Sequence, residues 1–149
     1  GGPDNITVVL ARTEKGVLPE EVEGRREALR TSAILSSMNQ RDLAMLSLYL
    51  DEYVHGADHV FESEMGLHLL LEGTAQVQGG RSLVPGNVFG LTPFLDGGRS
   101  LVEVQSTSEC TVALLSRGCY AMLKERRPSL AVDLLQGLLA EVARRNREA

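Results

Sequence analysis

Apolar residues follow two periods in the main part of this sequence, a helical one over residues 34–50 and an alternating one after it. Leu43, Leu46 and Leu50 recur at helical spacing, which predicts a helix over residues 34–50 with Asn39 as a cap. Beyond it, turns that contain Gly or Asp separate short alternating strands, predicted over 52–55, 59–61, 67–71, 75–78 and 81–84. Many short strands at this spacing predict an antiparallel jelly roll.

Helical spacing returns after a last strand predicted over 111–115. Ser116 is expected to cap a helix that turns Tyr120 and Leu123 inward, and Pro128 is expected to begin another. The apolar residues of that final helix form a broad stripe, which consists of Leu130, Leu134, Leu135, Leu138, Leu139 and Val142. The predicted fold is therefore mainly β, with N-terminal helices and two C-terminal helices.

The stretch 88–104 combines both kinds of structure. An apolar pair leads through Gly90 into a single predicted turn of helix, and two glycines then precede Arg99 and a strand predicted over 101–104. Unpaired amides at a helix N-terminus and a planar guanidinium both suit a phosphate. The stretch therefore predicts a phosphate site, the alternative being that Arg99 is a solvated loop arginine.

This stretch resembles the phosphate-binding cassette of the cyclic nucleotide-binding domain family. The run Pro-Gly-Asn-Val-Phe-Gly at 85–90 and the later Arg-Ser at 99–100 follow the order of that cassette. Segments 34–43 and 69–73 are similar to two other parts of the family. The resemblance implies a jelly-roll barrel of the double-stranded β-helix type, with cyclic AMP or cyclic GMP as candidate ligand. It also implies a set of phosphate-binding residues: Gly90, Leu91, Thr92, Arg99 and Ser100.

Leu91 departs from the family's pattern, in which an acidic residue at this point accepts the ribose 2′-hydroxyl. Leucine cannot accept a hydrogen bond, and a charge-assisted hydrogen bond contributes about 1.5–3 kcal/mol. Its loss is expected to weaken the binding of a cyclic nucleotide roughly ten- to a hundredfold.

The first twelve residues resemble a different family, the metal-dependent protein phosphatases of the 2C type. Gly-Gly-Pro-Asp-Asn-Ile-Thr-Val-Val-Leu is similar to the motif that closes their catalytic domain, where the aspartate is a metal ligand. On this resemblance Asp4 would bind Mn²⁺ or Mg²⁺ in an intact phosphatase, since both cations prefer carboxylate oxygens. One carboxylate cannot form a two-metal site, so this chain alone is expected to have no phosphatase activity. The alternative is a chance N-terminal strand.

The two resemblances divide the chain into a phosphatase remnant at 1–12, a linker and helix at 13–33, and a cyclic nucleotide-binding-like domain at 34–149. The first functional hypothesis is a regulatory domain that senses a nucleotide and modulates its own serine/threonine phosphatase in cis. The second is a degenerate, ligand-free jelly roll that serves as a protein-interaction or dimerisation module, with the last helix pairing two copies. A stand-alone enzyme is disfavoured, because no nucleophile and base pair can be assembled from the sequence.

Composition limits the partners. The 149 residues have a net charge of −5, which disfavours nucleic acid because binding a phosphate backbone requires a basic face. No apolar run approaches the length of a membrane span, so a membrane partner is not expected. Cys110 and Cys119 are too few for a disulfide framework and are expected to be free, partly buried thiols of a cytoplasmic protein.

Three histidines, His55, His59 and His68, fall near the predicted strands. Jelly rolls also include metal-dependent enzymes, so a metal site is an alternative. It would require carboxylates from Glu62, Glu64 or Glu72. The spacing disfavours it, because no His-x-His pair occurs in the chain, and histidines at the solvent edge are expected instead.

Overall fold

Seven strands, four α-helices and one 3₁₀ helix (Ser63–Met65) have both ends among the described residues, which are 29, 32, 34–100 and 102–148 of this computed structural model. The strands are β1 (Asp51–His55), β2 (Gly66–Glu72), β3 (Ala75–Val77), β4 (Ser82–Leu83), β5 (Val88–Phe89), β6 (Val104–Ser106) and β7 (Cys110–Ser116). The helices are α1 (Gln40–Ser47), α2 (Leu91–Asp96), α3 (Arg117–Arg126) and α4 (Pro128–Glu148). The phosphatase-like motif with Asp4 lies outside the described residues, as does most of segment 13–33.

The strands form two antiparallel sheets, with the orders β1-β7-β2-β5 and β4-β3-β6. The longest pairing joins β2 to β7, from Gly66 opposite Ser116 to Leu70 opposite Val112, with a bulge after Leu70. β5 lies at the edge of the first sheet, so the segment that follows it leaves the sheet at that edge. The prediction of a mainly β, antiparallel fold with flanking helices is confirmed.

β2 is apolar on both faces because each face meets a different layer. Side chains alternate along a strand, so Leu67, Leu69 and Leu71 join the core under the helices, whereas Leu70 joins the core between the two sheets. The helix-side core includes Leu46, Leu91, Leu123, Leu134 and Leu138. The core between the sheets includes Phe61, Ala75, Leu83, Phe89, Val104 and Val112.

The helix predicted over 34–50 is wrong at both ends. Residues 34–38 form a turn, in which the Met38 N–H bonds the Leu35 carbonyl at 3.0 Å. The helix begins at Gln40 because the Asn39 side chain accepts the Asp42 N–H at 2.8 Å, which confirms the predicted cap. Ser116 caps α3 in the same way, accepting the Cys119 N–H at 3.1 Å.

Two predicted strands differ in extent. Over 59–61 the structure has a single bridge, between Val60 and Gln105. The turn that precedes it, in which Asp58 has a φ of 65°, interrupts the extended backbone. The strand predicted over 101–104 is found at Val104–Ser106. Residues 102 and 103 lie before the strand, and the Val102 carbonyl accepts a hydrogen bond from the Ser100 hydroxyl at 2.7 Å.

The final helix packs closely against the turn at Ile34. A Cβ on Gly137 would lie 2.4 Å from the Ile34 carbonyl oxygen, so only glycine permits this approach. The inward face of α4 consists of Leu130, Ala131, Leu134, Leu138 and Glu141. Leu139 was predicted to lie in the apolar stripe and is instead 59% exposed, because one residue beyond Leu138 is a rotation of about 100°.

Both cysteines are free thiols, Cys110 buried and Cys119 half-buried. Burial raises the pKa of the Cys110 thiol. Among the described helices, none combines the length and the apolar character needed to cross a membrane.

Candidate functional site

A cavity of about 620 Å³ lies beside α2, between the end of β5, the second sheet and the last helix. All five residues predicted to bind a phosphate line it, namely Gly90, Leu91, Thr92, Arg99 and Ser100. Val77, Leu83 and Val104 of the second sheet form an apolar wall. The structure thus brings the predicted residues together around one concavity of the size that small-molecule sites usually have.

Gly90 sets the direction in which the chain leaves β5. Its φ of 74° is in the left-handed region, and a Cβ there would lie 2.7 Å from the Gly66 carbonyl oxygen and 2.9 Å from that of Ser63. The turn is therefore packed against the start of β2 and admits no side chain. It directs the first turn of α2 along the cavity.

One side of α2 belongs to the core and the other is exposed. Leu91 is only 2% exposed and Phe94 8%, while Thr92 is exposed and lines the cavity. The first amides of a helix have no partner within it, so an anion in the cavity could accept hydrogen bonds from the Leu91 and Thr92 N–H groups. The Arg117 guanidinium donates to the Pro93 carbonyl and so ties α2 to α3.

Arg99 stands on the exposed loop after α2. No ion pair or hydrogen bond joins its guanidinium to another of the described residues. Asp96 lines the same cavity, and its Oδ1 accepts the Gly98 N–H at 2.7 Å, which folds the glycine pair back on α2. The loop is thus ordered by its own polar contacts, and Arg99 has a donor surface available to an anion.

Two arginines of the cavity wall were not predicted from the sequence. Arg81 lies in the turn between β3 and β4, and Arg145 lies near the end of α4. The Arg145 guanidinium donates from Nη2 to the Val88 carbonyl at 3.0 Å and from Nε to Glu141 Oε2 at 2.9 Å. Sequence spacing gave no signal for either residue, because both reach the cavity only through the tertiary packing of distant segments.

Glu141 orients Arg145 from a buried position. It is 6% exposed and accepts hydrogen bonds from Arg144 at 3.0 and 2.6 Å as well as from Arg145. These bonds, those of Arg144 foremost, hold the pKa of Glu141 below its ordinary value. A buried carboxylate that remains ionised keeps the Arg145 guanidinium fixed at the cavity wall.

The sequence predicts the three histidines at the solvent edge, but the structure does not place all of them there. His55 and His59 are half-buried and stack with ring centroids 3.8 Å apart. His68 is 5% exposed, stacks on Phe89 at 4.7 Å and donates from Nδ1 to the Gly66 carbonyl at 3.1 Å. Burial lowers the pKa of His55 and of His68 to about 4. Within the described part of the chain, no group of three or more His, Cys, Asp or Glu is placed to hold a metal.

Comparisons with solved structures place this architecture among known proteins. A cyclic nucleotide-binding domain from Methylobacillus flagellatus superposes with a TM-score of 0.72, over 87% of this chain and 80% of that one, at 22% identity. The Thermus thermophilus catabolite activator protein gives 0.64 over 78% of this chain and 59% of its own, at 23% identity. The chain has the fold of the cyclic nucleotide-binding domains. No protein-family model matches the sequence, and no curated protein matches it.

The regulatory domain of Toxoplasma gondii PKA, solved with cAMP, also has this cyclic nucleotide-binding fold. It gives a TM-score of 0.58 over 72% of this chain and 46% of that one, at 22% identity. At such identities the likeness shows the fold alone. That Gly90, Leu91, Thr92, Arg99 and Ser100 bind a phosphate stays a prediction, as does the absence of a ribose acceptor at Leu91.

Proposed function

We propose that this chain is a nucleotide-responsive regulatory domain, with the ligand phosphate bound in the cavity beside α2. The observation that supports it is the convergence of Arg99, Ser100 and the first turn of α2 on one cavity of about 620 Å³. Arg99 supplies a guanidinium fork for two phosphate oxygens, and the Leu91 and Thr92 amides supply further donors. Ser100 lies at the same wall, where its hydroxyl donates to the Val102 carbonyl.

The ligand belongs to the class of cyclic AMP and cyclic GMP, in keeping with the fold. A structural neighbour solved with cAMP has the same architecture, and another neighbour belongs to a cyclic-GMP-dependent signalling pathway. Leu91 stands where a ribose acceptor would be needed. Binding is therefore expected to be roughly ten- to a hundredfold weaker than an intact ribose contact would give.

The regulated partner in this proposal is a metal-dependent serine/threonine phosphatase domain in cis. The support is the motif at residues 1–12, in which Asp4 corresponds to a Mn²⁺ or Mg²⁺ ligand. The chain itself then acts as a regulator and contributes no catalysis. Ligand binding would bias the linker of residues 13–33, which requires that the ligand bind two arrangements of the chain unequally.

The test is calorimetric titration of the chain with cyclic AMP and cyclic GMP, alongside Arg99→Ala. Saturable binding that the variant loses is the expected result, and absence of heat with millimolar ligand would contradict it. The regulatory half needs a longer protein that includes the phosphatase domain. Its activity on a phosphopeptide should change with ligand in the parent and not in Arg99→Ala.

A second candidate function, dimerisation through the last helix, is favoured by a separate observation. Val132 and Leu139 are 51% and 59% exposed, and Leu135 and Val142 are half-buried. These four positions are spaced three, four and three residues apart, which is the seam that two parallel helices bury in a coiled coil. The partner in this candidate is a second copy of the chain.

Sedimentation equilibrium of the chain and of Leu139→Glu tests this candidate. The parent is expected to sediment as a dimer and the variant as a monomer, because two carboxylates would be placed opposite one another in the seam. Asp133→Glu, on an exposed position of the same helix outside the seam, is the matched control. A monomeric parent would refute dimerisation whatever the variants do.

A further inference from the structure

α2 is a short helix that is closely packed at its first end and open at its last. A Cβ on Gly90, at the first end, would lie within 3 Å of two carbonyl oxygens of neighbouring segments. At the last end, apart from its chain neighbours, the one described atom within 4 Å of a Cβ on Gly97 would be Nη1 of Arg117, at 3.7 Å. Arg99 follows two residues after Gly97, so whatever holds this end of α2 also sets the place of Arg99.

Arg117 makes a contact that joins the last turn of α2 to the rest of the fold. Its guanidinium donates from Nη2 to the Pro93 carbonyl, which also accepts the Gly97 N–H at 2.9 Å. One carbonyl oxygen thus closes the last turn of α2 and receives a bond from α3. Arg117 is the first residue of α3 and follows directly on β7, which lies between β1 and β2 in the first sheet. The bond therefore ties the last turn of α2 to the end of a central strand.

The stability of α3 itself does not account for an arginine at this position. The N-terminus of a helix has a partial positive charge, so a cation in its first turn is unfavourable. Arg117 is exposed, and within the described part of the chain its hydrogen bond to Pro93 is its one polar contact. It does not line the cavity, so it would not touch a ligand bound there. The contact with Pro93 is therefore what this side chain provides.

A second contact between α2 and α3 lies on the core side. The Phe94 and Tyr120 rings meet edge to face with centroids 5.3 Å apart, and Tyr120 is one turn along α3 from Arg117. Phe94 is 8% exposed and belongs to the helix-side core. The ring pair fixes the inner side of α2, whereas Arg117 bonds the backbone of its last turn, where the loop begins.

We propose that Arg117 is a positioning residue for ligand binding, which holds the loop of residues 97–100 in place through the Pro93 carbonyl. This inference rests on the proposed function, since the loop brings Arg99 to the cavity. Without the bond from Arg117, the last turn of α2 keeps only the hydrogen bonds made within its own segment. Arg99 then occupies several positions, and the apparent affinity for a ligand falls with the fraction of the chain in which it faces the cavity.

Hydrogen exchange followed by NMR tests the positioning in the free chain. Arg117→Met keeps the length of the side chain and removes its donors, and Arg117→Lys keeps a donor. Arg126→Met, at an exposed position of the same helix, is the matched control. In Arg117→Met the Gly97 amide should exchange about tenfold faster, while the amide of Leu70 in β2 should be unchanged. Arg117→Lys should restore most of the protection, and Arg126→Met should have no effect.

Calorimetric titration with cyclic AMP and cyclic GMP measures the consequence for the site. Arg117→Met should weaken the nucleotide that binds about five- to tenfold, and Arg117→Lys should bring the affinity back to within about threefold of the parent. In an Arg99→Lys background, Arg117→Met should weaken binding by about twofold or less, because the loop no longer presents a guanidinium fork. A merely structural role would weaken binding equally in both backgrounds. Circular dichroism checks that each variant is folded.

The outcomes separate this inference from the proposed function. If exchange at Gly97 is unchanged in Arg117→Met, or is equally fast in Arg126→Met, Arg117 does not hold the loop and the inference is wrong even if a nucleotide binds. If exchange is faster but the affinity for the nucleotide is unchanged, the order of the loop does not serve binding and the inference is also wrong. If no nucleotide binds the parent, the proposed function fails. Faster exchange at Gly97 would then still show that Arg117 holds the loop.

Discussion

The two ends of α2 differ in what holds them, although both are glycines in the left-handed region. Gly90, at φ 74°, is pressed against the carbonyls of Gly66 and Ser63. Gly97, at φ 76°, has only the Arg117 guanidinium nearby, at 3.7 Å from where a Cβ would be. The first end is fixed by close packing on the sheet, and the second is held by its backbone turn and by the hydrogen bond from the Gly98 N–H to Asp96.

The two ends of the segment from Gly90 to Arg99 therefore have different roles, one in folding and the other in ligand binding. Leu91 and Phe94, near the packed end, belong to the core and contribute to folding. Arg99, beyond the open end, is exposed and contributes little to the packed interior. Substitutions near Gly90 should therefore change stability, and substitutions beyond Gly97 should change ligand binding with the fold intact.

Leu91→Glu should have the largest effect on stability. The substitution would place a carboxylate at a position that is 2% exposed, where an unpaired buried charge costs about 3–5 kcal/mol. Urea unfolding at neutral pH measures the loss. Leu91→Met, which nearly conserves volume, is the control and should cost less than about 1.5 kcal/mol. Equal stability of Leu91→Glu and the parent would mean that position 91 opens to the cavity and can accept a ribose hydroxyl.

Gly90→Ala should come next and is best compared with Gly97→Ala. Both add the strain of a left-handed alanine, about 1–2 kcal/mol, but only Gly90→Ala also brings a Cβ within 3 Å of two carbonyl oxygens. The expected loss in free energy of unfolding is about 3 kcal/mol or more for Gly90→Ala and about 1 kcal/mol for Gly97→Ala. Similar losses in the two variants would show that the packed end can shift and that the comparison between the ends is wrong.

A smaller loss of stability is expected when the pH is lowered, because His68 then takes up a proton on unfolding. The His68 ring stacks on Phe89, the residue before Gly90. Its folded-state pKa of about 4 lies below the ordinary 6.5 because the ring is buried, so between these values the unfolded chain binds more protons. This contribution is complete above pH 6.5 and is lost as the pH falls toward 4. From pH 6.5 to about pH 5 the loss attributable to His68 is about 1.5 kcal/mol.

Urea unfolding as a function of pH, in the parent and in His68→Gln, measures that contribution. His55→Gln is the comparison variant, because His55 also has a lowered pKa but is only half-buried beside His59. The slope of stability against pH should become shallower in His68→Gln. An unchanged slope would show that His68 is already accessible to protons in the folded chain.

The packed end was partly predictable from sequence and the full cavity was not. The sequence predicts a short strand at Val88 and Phe89 that ends at Gly90. It also predicts Asn39 and Ser116 correctly as helix caps, because a cap depends on residues close in sequence. The architecture follows from the short alternating strands and from the continuous apolar run at Leu69 to Leu71, which is buried on both faces of its strand. Such features need only neighbours in sequence.

What sequence could not supply depends on distant contacts. Arg145 reaches the cavity because α4 packs back over the first sheet, an approach that Gly137 permits at the Ile34 carbonyl. The burial of His68 likewise depends on Phe61 and Phe89 from other segments. Leu139 was misplaced because an apolar stripe does not reveal its inward edge until the helix has been packed.

The smallest effect on stability is expected from Arg99→Ala, on the open side of the comparison. Arg99 is exposed and contacts no other described residue through an ion pair, so its truncation should change the free energy of unfolding by less than about 0.5 kcal/mol. The same variant should lose the phosphate affinity on which the proposed function depends. Denaturation and calorimetry on one preparation of Arg99→Ala should therefore show a loss of ligand affinity without a loss of stability. No substitution at Gly90 or Leu91 can separate the two effects in this way. A large loss of stability in Arg99→Ala would mean that the loop is part of the packed structure, and the division between the two ends of α2 would then have to be abandoned.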